Sequence, residues 1–103
     1  MSESLPTLYE VVYSGRVRRR IVEMAGETAR RGDSEAFAAS LKEFHHRLCV
    51  YPQFGDPLTD LTVEPSQIRI GTVPPLVMRY GLYEERRLVL VVALPELLPM
   101  SAG

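Results

Sequence analysis

The sequence predicts an α+β fold of order β-α-α-β-β-β, a helical hairpin packed on one face of a small, mainly antiparallel sheet. Three observations predict it. An aromatic and β-branched run, Tyr9–Tyr13, opens the chain; two stretches with apolar residues every three or four positions follow; and period-two alternation takes over from Ile68. A sequence of 103 residues makes one domain, 1–103, with frayed ends and a core spanning about residues 8–95.

Each element has its own local signal. The segment YEVVY, Tyr9–Tyr13, suits a pleated, half-buried strand. Ser14 then offers a helix cap, and Val17, Ile21, Met24 and Thr28 fall on one helical face. Gly32 ends that helix, because the chain must turn there into left-handed geometry. Asp33 or Ser34 caps a second helix with the stripe Phe37, Leu41, Phe44 and Leu48, and Pro52 stops it. The short gap between the stripes makes the two helices a hairpin.

Tyr51–Pro65 carries three prolines and a glycine and is expected to be a loop or at best a strand fragment. Ile68 and Ile70 then alternate with Arg69, which points away from the isoleucines. Pro74-Pro75 marks an irregular connection. Beyond it Leu76, Met78, Tyr80 and Leu82 share one face, with Val77, Arg79, Gly81 and Tyr83 on the other. Glu84–Arg87 forms a hairpin corner into a last strand, Leu88–Leu94.

That last strand is apolar on both sides. Leu88, Leu90, Val92 and Leu94 occupy one face, and Val89, Val91 and Ala93 the other. A helix pair covers only one face, and exposing a large aliphatic side chain forgoes roughly 1.5 to 3 kcal/mol. The second row needs a cover: the tail Leu97–Met100, the Tyr51–Pro65 loop, a second copy of the chain, or a different polypeptide. Val89, Val91 and Ala93 are the residues expected to meet such a partner.

Composition narrows the function classes. With 46% apolar and 24% charged residues the chain is an ordinary globule, and a net charge of -1 gives it no field to gather nucleic acid. Cys49 is the only cysteine, so no internal disulfide exists, which fits a reducing cytoplasmic setting. No apolar stretch approaches the ~18 residues that a membrane span requires.

Taken together, YEVVYS before a helical hairpin, LCVYPQFGDPL at its exit, IRIG, and RYGLYEERRLVLVV resemble the RelE/ParE superfamily of bacterial toxin-antitoxin toxins over about Tyr9 to Leu94. The resemblance implies the fold predicted above, called RelE/ParE-like or plasmid-stabilisation-like. It also implies either of two activities. RelE-like members cut messenger RNA on the ribosome without a metal; ParE-like members poison DNA gyrase and cut nothing themselves. Both are held inactive by a cognate antitoxin wrapped around the toxin. The implied alternative is a degenerate, non-toxic relative that serves as a protein-binding module or a homodimer.

Metal-free RNA cleavage needs a base, an acid and cations that stabilise charge on the phosphate. The resemblance implies a site made of Arg69, which would face the scissile phosphate, of Tyr80, matching a tyrosine that is more often a packing residue than a catalyst, and of Arg79, which could stand in for an arginine where this chain has Val77. No cofactor or metal is implied. After the last strand, where RelE-like nucleases carry basic residues, histidine or tyrosine, this chain has Pro95-Glu96-Leu97-Leu98-Pro99. The nuclease site is thereby incomplete.

Two further clusters have a functional and an ordinary reading. Arg16, Arg18, Arg19 and Arg20 could touch nucleic acid or ribosome; more simply they form a solvated helix face in which Arg19 pairs Glu23 and Glu27 pairs Arg31, leaving Arg16 and Arg18. His45, His46 and Cys49 suggest a metal, but no third ligand type lies nearby in sequence. A nucleophilic Cys-His pair lacks a group to orient the base. The ordinary reading has His45 flanking Phe44 and Cys49 filling a core gap.

Overall fold

The computed structural model describes residues 8–58 and 67–99. Among the described residues two helices follow a first strand and five strands follow the helices, two more than the sequence predicts. β1 is Glu10–Tyr13, α1 Gly15–Arg30 and α2 Ser34–Val50. A single turn of 3-10 helix, Pro52–Phe54, leads to a two-residue strand β2, Asp56–Pro57. β3 spans Gln67–Val73 and β4 Leu76–Tyr83, and a second 3-10 turn, Glu84–Arg86, opens into β5, Leu88–Val91. β6, Glu96–Leu97, closes the order. The fold is a small α+β domain with two helices packed on a mixed, mostly antiparallel sheet.

Both helix ends follow from sequence. Ser14 Oγ accepts from the Val17 N–H at 3.2 Å, satisfying one free donor of the first turn. At the other end Gly32 sits at φ 79°, and the N–H groups of Gly32 and Asp33 reach back to the carbonyls of Ala29 and Thr28. This is the Schellman arrangement, in which a glycine past the helix end lets the last carbonyls find partners. Val17, Met24, Phe37, Phe44 and Leu48 are buried, and Ile21 and Leu41 pack against them half-buried. Thr28, also buried on the stripe, donates its hydroxyl to the Met24 carbonyl at 2.9 Å, so it enters the core with its polarity satisfied.

The sheet order is β1-β5-β4-β3-β2, with β6 also on β4. β1 runs parallel to β5, and the other pairs are antiparallel. Residues directly paired across a ladder share a face, so the register sorts the side chains. Val11 and Tyr13 join Val89, Val91, Leu82, Tyr80, Met78 and Leu76 on the helix side. Val12, Leu88, Leu90, Gly81, Tyr83, Arg79, Ile68 and Ile70 face the other way.

The last strand departs from expectation in two respects. It stops at Val91, and the chain bends at Ala93 before Glu96–Leu97 rejoins β4. Between the two pairings the register slips by two residues, Leu90 on Gly81 but Leu97 on Leu76. An even slip preserves the alternation, so Leu97 still packs on the core. The tail therefore folds back as an extension of the sheet edge and not as a cover over its open face. The 51–65 loop contains the 3-10 turn and β2; its part from 59 onward, and Met100, lie outside the described residues.

Candidate functional site

The proposed trio divides between two faces of the sheet. Arg69 is paired with Tyr80, and Ile70 with Arg79. Arg69 and Tyr80 thus point to the helix side, and Arg79 projects, exposed, from the opposite side. Arg69 and Arg79, both expected at one nuclease site, therefore lie on opposite faces and do not meet at one phosphate.

Arg69 and Tyr80 are occupied by the turn that follows α2. The Tyr80 hydroxyl donates to the Pro52 carbonyl at 2.6 Å and accepts from the Gly55 N–H at 3.1 Å. The Arg69 guanidinium donates to the carbonyls of Gln53, at 3.1 Å, and of Gly55, while its Nε donates to Gln67 Oε1 at 3.1 Å. Three carbonyls of this turn, those of Pro52, Gln53 and Gly55, are satisfied by these two side chains. Burial, first of all, pushes the Tyr80 phenol up to about 12, so it stays neutral at physiological pH. Tyr80 is a buried structural group and not an accessible acid or base.

An aromatic cluster seals the same corner. Phe54 stacks on Tyr80 with ring centroids 6.1 Å apart and meets Phe44 edge-on at 5.4 Å. Gly71 makes this possible: a Cβ there would lie 2.8 Å from Phe54 Cζ and 3.0 Å from Phe44 Cζ. The Arg47 guanidinium caps the Phe54 ring at 5.4 Å.

Val89 and Val91 are fully buried under the helices, so the row expected to meet a partner is the core row. Ala93 lies in the bend beyond the strand. The row that faces away from the helices is Leu88 and Leu90, half-buried, continued by Val92 at 63% exposure. Around it stand Val12, Tyr83, Ile68 and Ile70, with Arg79 as the charge among them. Parallel and central strands read as continuous apolar runs, and such a run carries no mark of which side is inward.

On α1, Arg16 and Arg18 are exposed as expected, but the ion pairs differ from those the spacing suggested. Arg20 bonds both Glu23 at 3.3 Å and Glu27 at 3.2 Å. Arg16, Arg18 and Arg19 have no acidic partner among the described residues. Arg16, Arg19, Arg20 and Glu23 border a shallow depression with Leu94.

At the far end of α2, His45 is not simply a flank to Phe44. Its Nδ1 lies 2.8 Å from the Tyr13 hydroxyl, and its Nε2 lies 3.6 Å from Cys49 Sγ. Tyr13 is the orienting group that sequence reasoning missed, because it comes from β1, far away in the chain. No group of three or more metal-ligating side chains occurs among the described residues, and no helix among them is long and apolar enough to cross a membrane. Comparison with known proteins finds no match: no family model, no curated protein and no solved structure aligns significantly with this chain.

Proposed function

We propose that this chain is a toxin-type component of a bacterial toxin-antitoxin pair of the RelE/ParE kind, one that acts by binding and cleaves no RNA. The observation that carries the reading is the sheet face turned away from the helices, which holds the half-buried Leu88, Leu90 and Ile70 and the exposed Arg79, with Val92 exposed just beyond β5. A contiguous apolar patch with a polar rim is the mark of a protein-binding surface. Arg79 selects the partner: it matches a carboxylate on an antitoxin segment laid over that face. The β-α-α-β order with β1 parallel beside β5 supports the kinship.

The nuclease version loses its support because Arg69 and Tyr80 are engaged with the Pro52–Gly55 turn. A gyrase-type target, struck without bond cleavage, suits the remaining groups better than ribosome-bound messenger RNA. The same engagement favours a second reading, a non-toxic relative that keeps the fold as a binding module or homodimer.

Expression in a bacterial host tests the proposal. The toxin reading expects growth arrest from the chain alone, relief by the short reading frame beside its gene, and a purifiable complex that Val92→Glu disrupts without unfolding the chain. Absence of both arrest and complex removes it. Arrest without complex loss on Val92→Glu leaves the toxin but moves the partner to another face.

A further inference from the structure

Three chemistry-bearing side chains meet where α2 passes the edge strand β1. His45 and Cys49 are one helical turn apart, and the Tyr13 ring stacks on the imidazole with centroids 5.8 Å apart. The 3.6 Å between His45 Nε2 and Cys49 Sγ is the length of a sulfur hydrogen bond, and it has a second meaning in coordination chemistry. Zinc bonds of about 2.3 Å to sulfur and about 2.0–2.1 Å to nitrogen, opened to the tetrahedral angle, hold those two atoms about 3.5 Å apart.

The other ring nitrogen fits the same chemistry. A metal-ligating histidine holds its second N–H on an oxygen, which fixes the tautomer and aims the free lone pair. Tyr13 provides that oxygen at 2.8 Å from Nδ1. With Nδ1–H donated to Tyr13, Nε2 presents its lone pair on the side of Cys49.

We propose that His45 and Cys49 form half of a zinc site, completed by the same two residues of a second copy of this chain. Two ligands per chain are half of the four that a closed structural site takes, and no third ligand stands beside them among the described residues. Two cysteines and two histidines make one of the common tetrahedral sets, and two thiolates neutralise the 2+ charge. Each Sγ–H releases its proton to solvent as the zinc–sulfur bond forms, and the metal keeps its oxidation state.

The surroundings suit a second copy. His45 is exposed, and Leu8, Val50 and Tyr51 next to Cys49 are 57%, 45% and 58% exposed. Leu8 is held there because the Tyr9 N–H donates to the Cys49 carbonyl at 2.9 Å. These apolar side chains gain cover when two such corners face each other. The surface is separate from the sheet face of the preceding section, so the proposal stands whether or not that reading does.

Zinc chloride titrated into the reduced full chain tests it, with calorimetry for stoichiometry and light scattering for mass. One zinc per two chains and a doubled mass, both reversed by a chelator, are expected. His45→Gln and Cys49→Ser each abolish both effects, and His46→Gln preserves them. Tyr13→Phe weakens zinc affinity about 10- to 100-fold at unchanged stoichiometry, the mark of a positioning residue. A chain that stays monomeric with zinc, or dimerises equally in His45→Gln, overturns the proposal. So does a stoichiometry of one zinc per chain. Since His45 is exposed, its variant folds, and the result stands even if Cys49→Ser does not fold.

Discussion

Arg69 and Tyr80 are direct neighbours across β3 and β4, and both turn inward to hold the carbonyls of one short turn, Pro52–Gly55. Their pairing converts two residues with catalytic associations into fasteners between the end of α2 and the sheet. The consequence is open to measurement.

Tyr80→Phe keeps the ring and removes the hydroxyl, so the Pro52 carbonyl and the Gly55 N–H each lose this partner inside the protein. Unmatched buried groups cost about 1–3 kcal/mol, a loss that urea unfolding monitored by circular dichroism resolves. If stability is unchanged, the turn is held by something else.

Gly71→Ala tests the aromatic corner. The added methyl meets Phe54 and Phe44 inside van der Waals contact, and overpacking of this kind costs about 1–3 kcal/mol. Thermal melting of the variant should fall accordingly; a Tm equal to the parent's indicates that Phe54 swings away freely.

High pH should destabilise the fold through Tyr13 and Tyr80. Both phenols are raised, mainly by burial, from the ordinary 10.0 to about 12. A raised folded-state value means that the unfolded chain gives up the protons first. The stability they contribute is whole below pH 10 and is lost progressively as pH rises toward about 12. Phenolate absorbance should therefore rise together with unfolding in this window, and a Tyr13→Phe, Tyr80→Phe double variant should flatten the dependence on pH. Smooth titration of all tyrosines near pH 10 in a folded chain would contradict this.

The helix-side and outward rows of β5 should respond oppositely. Val91→Ala removes two buried methyl-sized groups and costs about 2 kcal/mol, whereas Val92→Glu, at an exposed position, stays within about 0.5 kcal/mol of the parent. Equal effects in chemical denaturation would contradict the inward placement of Val91.

Arg20 bridges Glu23 and Glu27 on a partly exposed helix face. Arg20→Ala should cost no more than about 1 kcal/mol and less in strong salt, as expected for screened surface pairs. A loss that salt leaves untouched would point to packing by the arginine stem instead.

Much of this architecture is legible in the residues. Ser14, Gly32 and Pro52 set the helix limits because capping and φ preferences are local, and the stripes from Val17 to Thr28 and Phe37 to Leu48 give the buried faces directly. Strand orientation is less legible. Ile68 and Ile70 flank Arg69 in a pattern that ordinarily sends the isoleucines inward, yet Gly71 and Val73 occupy the inner face with Arg69. A glycine has no side chain to register in a pattern, so the decisive inward residue is silent. Leu88–Leu94 is apolar throughout and carries no sign of its direction, so the sequence does not tell the row Val89, Val91 and Ala93 from its opposite. The candidate site is illegible for the same reason: Arg69 and Arg79 are both basic, but only the pairing of β3 with β4 reveals that a sheet stands between them. The contact between Tyr13 and His45 joins positions far apart in the chain, beyond the reach of any local spacing.

The parallel pairing of β1 with β5 ties residues 10–13 to residues 88–91. During synthesis the opening strand must wait, edge unmatched, until β5 has emerged from the ribosome. A protease that clips before Leu88 would strand that segment and take from the helices the floor that Val89 and Val91 provide.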